Sequence, residues 1–310
     1  MLRRISIAVL AALISLASLS APAQAKGEKW TLLVSSIGGL YRTTVEDGRV
    51  AKNKKLLESG GLISASSKIL VTPYVDNSVY VMSYPKLREL AIFDKYPRQR
   101  TVVGASRNSV VALQTNPNGE NADVIRKDLK WGDETILGSI DLKDELAETS
   151  NWIENDVSTP LGEGMVYFGA RTSREFWGPN KYLGYMIYAV PPGGAPTPFY
   201  YIDGQPYGGF ISDFCVSPSG KRVAFTNPFP GGSRYQEQIH VRDVETGQTW
   251  TTQGDNSLGS SCFVDDDTLI LSGGAPVLVE VKGERLKRSR IKGFPSEFFG
   301  TYEVLRVRQK

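Results

Sequence analysis

A degenerate repeat constrains this chain more than any other feature. Six short runs rich in β-branched and aromatic residues, at 30–34, 68–72, 109–113, 164–168, 221–225 and 268–271, begin about 38 to 57 positions apart and are each bounded by turn residues. Each is followed, after a loop, by a second alternating strand and often by a tight turn into a third. The clearest case is residues 238–244, the turn Glu245-Thr246-Gly247, and then residues 248–251. Parallel cases run over 40–45, 79–84, 185–190 and 277–281. The spacing brackets the ~40–50 residues of a four-stranded propeller blade. A pair of β-sandwiches is the alternative, since alternation alone does not fix ring closure, and the repeated strand, loop, strand, glycine-turn, strand order favours the propeller.

The amino terminus has the three parts of a bacterial secretory signal: basic Arg3 and Arg4, an apolar run over 5–19, and the small-residue site Ala23-Gln24-Ala25. The apolar run is shorter than the ~20 residues a membrane span needs. Removal of residues 1–25 leaves 26–310 as a single domain of 285 residues, about 47 for each of six blades. The sequence therefore predicts an all-β, six-bladed propeller, with seven blades if the C-terminal segment supplies more than one strand. Residues 299–307 form a strand without a following hairpin, and its expected role is to pair with the N-terminal strand and close the ring. One short helix is expected at 141–148, from the capping type of Asp141 and from Leu142 and Leu146. The mature chain is expected in the periplasm or outside the cell, with no transmembrane segment.

Composition limits the chemistry. Hydrophobic residues at 41% and charged residues at 22% exclude a disordered chain and a polytopic membrane protein. The net charge of +3 falls to about +1 once Arg3 and Arg4 are gone, which gives no global argument for nucleic acid. There is one histidine, so His pairs and His-rich metal sites are excluded and any Ser-His-Asp mechanism would have to use His240. His240 sits within an alternating strand, where a core or inter-blade role is the plainer reading. No nucleophile elbow, phosphate-binding glycine loop or Cys-x-x-Cys occurs.

Residues 215–225, Cys-Val-Ser-Pro-Ser-Gly-Lys-Arg-Val-Ala-Phe, resemble the Ser-Pro-Asp-Gly-Lys-x-Ile-Ala-Phe signature of TolB-type (WD40-like, PD40) propeller repeats. The hairpin that follows is similar to the same repeat, with Asp243-Val244-Glu245-Thr246-Gly247 standing for Asp-x-x-Thr-Gly. The resemblance is clearest over 215–251 and implies a repeat type, not a shared role. Pro218 and Gly220 should turn the innermost strand into the next, and Val223 and Phe225 should share one sheet face. In the sixth blade Asp265-Asp266-Asp267 replaces that turn.

The remaining candidates are few. Cys215 and Cys262, 47 positions apart, are either two buried small hydrophobes at matching repeat positions or a disulfide, which an exported chain could keep. No cofactor is expected; Asp265, Asp266 and Asp267 could offer calcium their carboxylates, but a turn is the first reading of these residues. The basic run Lys282, Arg285, Lys287, Arg288, Arg290 and Lys292 should mark an outermost strand protected against edge pairing. Loop lengths are the strongest functional signal. In an antiparallel blade the loop between strands two and three and the connection to the next blade leave by the same face. In blades four and five these segments lengthen and hold Arg174, Phe176, Trp177, Tyr182, Tyr207, Phe229, Arg234 and Tyr235. Aromatics with arginines are the composition of interface hot spots and of peptide or glycan platforms. Two functions follow: an envelope binding or scaffolding module for a protein, peptide or glycan, which the missing enzyme motifs favour, or a propeller hydrolase or lactonase for an envelope sugar or ester.

Overall fold

A computed structural model describes residues 29–36, 38–58, 64–65, 68–73, 79–93, 100–106, 108–115, 121–141, 150–158, 160, 164–173, 182–203, 212–228, 237–253, 261–271, 276–294 and 302–307. These residues form six four-stranded antiparallel sheets arranged as a β-propeller. Blade 1 holds β1 (Lys29–Ser36), β2 (Gly39–Glu46) and β3 (Arg49–Leu57), and blade 2 holds β4 (Ser64–Ala65), β5 (Ile69–Pro73), β6 (Val79–Ser83) and β7 (Glu89–Phe93). Blade 3 follows with β8 (Arg100–Ala105), β9 (Ser109–Thr115), β10 (Asn121–Asp128) and β11 (Glu134–Asp141). Blade 4 comprises β12 (Ser150–Ser158), β13 (Val166–Ser173), β14 (Tyr182–Val190) and β15 (Thr197–Asp203). Blade 5 is β16 (Ser212–Val216), β17 (Arg222–Pro228), β18 (Glu237–Asp243) and β19 (Thr249–Gln253). Blade 6 is β20 (Ser261–Phe263), β21 (Thr268–Leu271), β22 (Val277–Lys282) and β23 (Arg285–Arg290), and the last strand is β24 (Tyr302–Val307).

The ring closes as the sequence suggested. β24 pairs antiparallel with β1 and becomes the innermost strand of blade 1, with Leu32 opposite Val304 and Val34 opposite Tyr302. Asp141 ends strand β11, so it is not a helix cap, because burying Ile140 in the core holds the strand pattern to its end; the rest of the expected helix, 142–148, lies outside the described residues.

The apolar core is divided among the six gaps between blades. Along β1, Trp30, Leu32 and Val34 pack on Ile270 and Leu278 of blade 6, while Leu33 packs on Ala65 and Leu70 of blade 2. Along β17, Val223 and Phe225 join Tyr185 and Ile187 of blade 4, while Ala224 joins Phe263 and Leu269 of blade 6. Successive side chains point to opposite faces, so a strand buried on both faces must be apolar at every position. That requirement produces the near-continuous apolar runs that made the repeat visible.

Outer strands face water and carry different chemistry. β3 and β23 present Arg49, Lys52, Lys54, Lys55, Arg285, Lys287, Arg288 and Arg290 along their edges, as expected for strands that must not recruit another chain. Blades 6 and 1 are joined there, since the Val50 amide donates to the Lys292 carbonyl at 2.8 Å and the Lys292 amide to the Gly48 carbonyl at 2.9 Å.

Cys215 and Cys262 occupy equivalent positions on neighbouring innermost strands. Cys215 lies opposite Ala224 in β17 and Cys262 opposite Ile270 in β21, each one residue before the strand's turn-proximal pair. The disulfide alternative is nevertheless corrected. Both cysteines are buried and not joined, because Cys215 faces the core between blades 5 and 6 and Cys262 the core between blades 6 and 1.

Candidate functional site

Topology brings together the strand ends that bear the long connections. Segment 174–181 joins Ser173 of β13 to Tyr182 of β14, segment 204–211 joins Asp203 of β15 to Ser212 of β16, and segment 229–236 joins Pro228 of β17 to Glu237 of β18. Antiparallel order puts all these ends on one face of two adjacent blades. Arg174, Phe176, Trp177, Tyr207, Phe229, Arg234 and Tyr235 lie outside the described residues, and Tyr182 is the first residue of β14. The scaffold beneath is fully buried: Phe168, Tyr185, Ile187 and Phe225 all have zero exposure.

The opposite face of blade 5 shows what the repeat signature does. The Gly220 amide donates to the Ser217 carbonyl at 2.9 Å, and Ser217 Oγ accepts from the Arg222 amide at 3.0 Å. Gly220 has φ of +77°, a left-handed conformation that a side chain would strain. In the next turn Asp243 Oδ1 accepts from the Thr246 amide at 2.9 Å and from its hydroxyl at 3.0 Å. The Thr246 amide bond is the main cause of an Asp243 carboxyl held below its ordinary range.

Of the three aspartates of blade 6, Asp265 holds its own turn, and Asp266 and Asp267 tie it to blade 5. Asp265 accepts from the Asp267 amide at 2.8 Å, and Asp266 Oδ1 from the Ser219 amide of blade 5 at 2.9 Å. Burial would raise the Asp266 carboxyl, but bonds from Ser219 and Ser217 outweigh it and hold it low. Arg222, 6% exposed, donates to the Asp266 carbonyl at 2.8 Å, pairs with the Asp267 carboxylate, and lies 5.2 Å from the Trp250 ring centre. Among the described residues no group of three or more His, Cys, Asp and Glu side chains is arranged to hold a metal ion.

His240 is a core residue. Its ring stacks on Phe225 at 5.1 Å and 19°, and Nδ1 lies 3.1 Å from Thr251 Oγ1. Ile239 and Val241 point the other way, into the core shared with blade 6. Burial first, then the charge of Arg242, pushes its pKa down from 6.5 to about 4. With that shift the imidazole is neutral at pH 7.

The sequence reading missed a groove between blades 2 and 3, on the face opposite the long connections. It encloses about 500 Å³ and is walled by Ile69, Tyr84, Leu90 and Leu129, with Lys68, Lys130, Asn108 and Asp128 at its polar side. Lys68 Nζ donates to Asn108 Oδ1 at 3.1 Å, and Lys130 Nζ sits 4.1 Å from the centre of the Trp131 ring. Asp128 caps the adjoining turn: its Oδ1 accepts from the amides of Trp131 at 3.0 Å and Lys130 at 2.8 Å, which hold its carboxyl low. Leu90 owes its place to a β-bulge, since Met82 pairs with Glu89 and Val81 with Ala91, leaving Leu90 without an opposite residue. The only sequence signal was an outer strand, Glu89-Leu90-Ala91-Ile92-Phe93, that carries no lysine or arginine.

No family model matches the chain, and no curated protein matches it. Among solved structures it is similar to TolB from Acinetobacter baumannii, at 14% identity with a TM-score of 0.47, covering 89% of this chain and 66% of that one. It is also similar to a chain of the nidogen/laminin complex, at 10% identity and a TM-score of 0.54, covering 89% and 98%. A third is oligogalacturonate lyase in complex with manganese, at 11% identity and a TM-score of 0.45, covering 86% and 74%. Of these, the likeness to the nidogen/laminin chain bears on the fold, and on the fold alone.

Proposed function

We propose that this protein is an exported β-propeller that works in the periplasm or outside the cell as a binding or scaffolding module. Its recognition surface is the face of blades 4 and 5 bearing Arg174, Phe176, Trp177, Tyr182, Tyr207, Phe229, Arg234 and Tyr235, and its partner is an envelope protein, peptide or glycan. The observation that carries this reading is the convergence of three pairs of strand ends, at Ser173 and Tyr182, Asp203 and Ser212, and Pro228 and Glu237, on one face of two adjacent blades. A rigid scaffold with long aromatic connections on one face is the usual division of labour in binding folds. Among the described residues no helix is long and apolar enough to cross a membrane.

The double variant W177A/Y235A tests the reading, with wild type and variant used as bait for chemical cross-linking in periplasmic extract. Loss of hot-spot aromatics should weaken capture by ~2 kcal/mol, about thirtyfold, with the melting temperature unchanged. A clearly lowered melting temperature with unchanged capture would mean that the aromatics are a packed lid. Export is checked separately: the mature N-terminus should be Lys26.

A further inference from the structure

We propose that the groove between blades 2 and 3 binds an extended, acidic segment of a partner protein, which adds as a strand to the outer edge of β7 and seats an apolar side chain against Leu90 and Leu129. This site is distinct from the blade 4 and 5 surface and does not depend on it.

The first argument is edge chemistry. β7 is the outermost strand of its sheet, and among the described residues no strand pairs with its outer side. On β3 and β23 the same position in the fold is guarded by eight lysines and arginines. β7 has none, and no proline, a composition it shares with the outer strands β11 and β19. Blade 3's outer strand is less available, because Pro196 of blade 4 packs so closely on Gly138 of β11 that a Cβ there would meet it at 2.8 Å.

The second argument is where apolar surface is left in water. Ala112 of β9 lies opposite Ile125 of β10, and Ile125 opposite Ile136 of β11, so the three share one face. Ala112 packs into the core between blades 2 and 3, which turns that face toward β7. Its outer end is uncovered: Ile136, on that face beyond the groove's lining, is 64% exposed, and Leu90, in the lining, is 42% exposed. Trp131, at 70%, stands at the same end of blade 3. Ile92 faces the other way, opposite Tyr80, and takes no part. A volume of about 500 Å³ is within the range of ligand pockets and leaves room for a large apolar side chain beside the added strand.

The third argument is charge. Two ammonium groups are fixed at the groove, Lys68 by Asn108 and Lys130 over Trp131, whereas the one lining carboxylate, Asp128, is turned into its own loop by two amides. A strand added here would meet backbone at β7, an apolar wall and two cations. Strand addition takes affinity from main-chain bonds and specificity from pockets for alternate side chains. The fitting segment therefore alternates apolar and acidic residues.

The test uses the full mature chain and a fluorescein-labelled dodecamer alternating Glu or Asp with Val, Leu or Phe, titrated by fluorescence anisotropy against its lysine counterpart. The acidic peptide should bind at least tenfold more tightly. L90K should weaken it at least tenfold by placing a cation on the edge, and L90A, which keeps the edge neutral, should do so less. K68E/K130E should invert the charge preference, and W177A/Y235A should leave binding unchanged. The substitutions at the exposed residues Lys68, Leu90 and Lys130 should keep the wild-type urea midpoint, and L90A serves in place of L90K if the lysine unfolds the blade. No binding of the acidic peptide, equal binding of both peptides, or indifference to both Leu90 variants overturns the proposal. Octanoate binding in its place would make the groove a small-carboxylate site, and a dimer in sedimentation lost in L90K would make it a self-association surface; either result overturns the peptide assignment.

Discussion

Arg222 should be worth far more to stability than the carboxylate it pairs with. Its side chain is 8% exposed and that of Asp267 is 62% exposed, so the two ends of one ion pair stand in different dielectric surroundings. Replacing Arg222 by alanine removes a charge-assisted bond to the Asp266 carbonyl, the pair with Asp267 and the cation over Trp250. A hydrogen bond to a charged group contributes about 1.5–3 kcal/mol. A partly desolvated cation–π contact adds about 1 kcal/mol, so R222A should cost about 3 kcal/mol. D267N removes only an interaction whose acidic end is solvated, and should cost no more than about 1 kcal/mol. R222M keeps the stem packed over Trp250 and removes a cation that was costly to bury, so it should fall between them. Urea unfolding at pH 7, followed by tryptophan fluorescence and circular dichroism, measures all three, with coincident transitions as the condition for comparing midpoints. If D267N costs as much as R222A, or R222A costs less than about 1 kcal/mol, the reasoning that burial of the guanidinium sets the energy is wrong.

Three further outcomes are expected. The pKa of His240 is lowered from 6.5 to about 4, so the folded chain binds fewer protons than the unfolded chain between these values; the stability is fully present above pH 6.5 and falls as pH drops toward 4, by up to about 3 kcal/mol. H240Q should flatten that part of the profile relative to wild type, and identical profiles would exclude His240 as the cause. Asp243 is held below its ordinary 3.8, so the stability it contributes is present above that pH and lost below it. D243A should accordingly cost about 1–2 kcal/mol at pH 7 and progressively less as the pH is taken below 3.8 in urea titrations. Cys215 and Cys262 are 4% and 8% exposed, so Ellman's reagent should titrate both thiols after denaturation and neither in the native chain; a non-reducing mass two daltons low would show a bridge instead.

What the sequence made legible depends on how many faces of a strand are buried. β1, β5, β9, β13, β17 and β21 are covered on both sides and read as apolar runs, which is why six repeats could be counted. Apart from β24, innermost strands such as β4, with Ser64 and Ala65 alone, and β20, with three residues, gave almost no signal. Their place follows from ring closure and not from local propensity. The expected helix failed where it could be examined because Ile140 is buried, and tertiary packing outweighs a capping residue at 141. The Asp265-Asp266-Asp267 run was readable as a turn. Its union with Arg222 was not, since that contact spans 45 positions and two blades. The groove beside β7 was hidden for a related reason: a bulge between Val81 and Met82 exposes Leu90, and alternation along the strand carries no mark of it.

The cysteines show how a correct repeat alignment can point to a wrong bond. Equivalent residues in a propeller are related by rotation about the ring axis, so their side chains point in the same rotational sense. Cys215 points from blade 5 toward blade 6, and Cys262, one blade on, points from blade 6 toward blade 1. For the same reason Val223 faces blade 4 while its counterpart Leu269 faces blade 5. A bond between adjacent innermost strands requires positions of opposite parity, one facing forward and one back. In this chain the cluster around Cys215 includes Phe263 and Leu269 across the gap, and Phe263 is the residue of β20 that belongs to it. The chemistry that would link these blades covalently is therefore a cysteine at 263 with Cys215, a bond that requires their α-carbons to come within ~7 Å. The variant F263C should form an inter-blade disulfide under mild oxidation. Cys262 in the same chain should stay reduced, and cross-linking of Cys262 to Cys215 would refute the rotational argument.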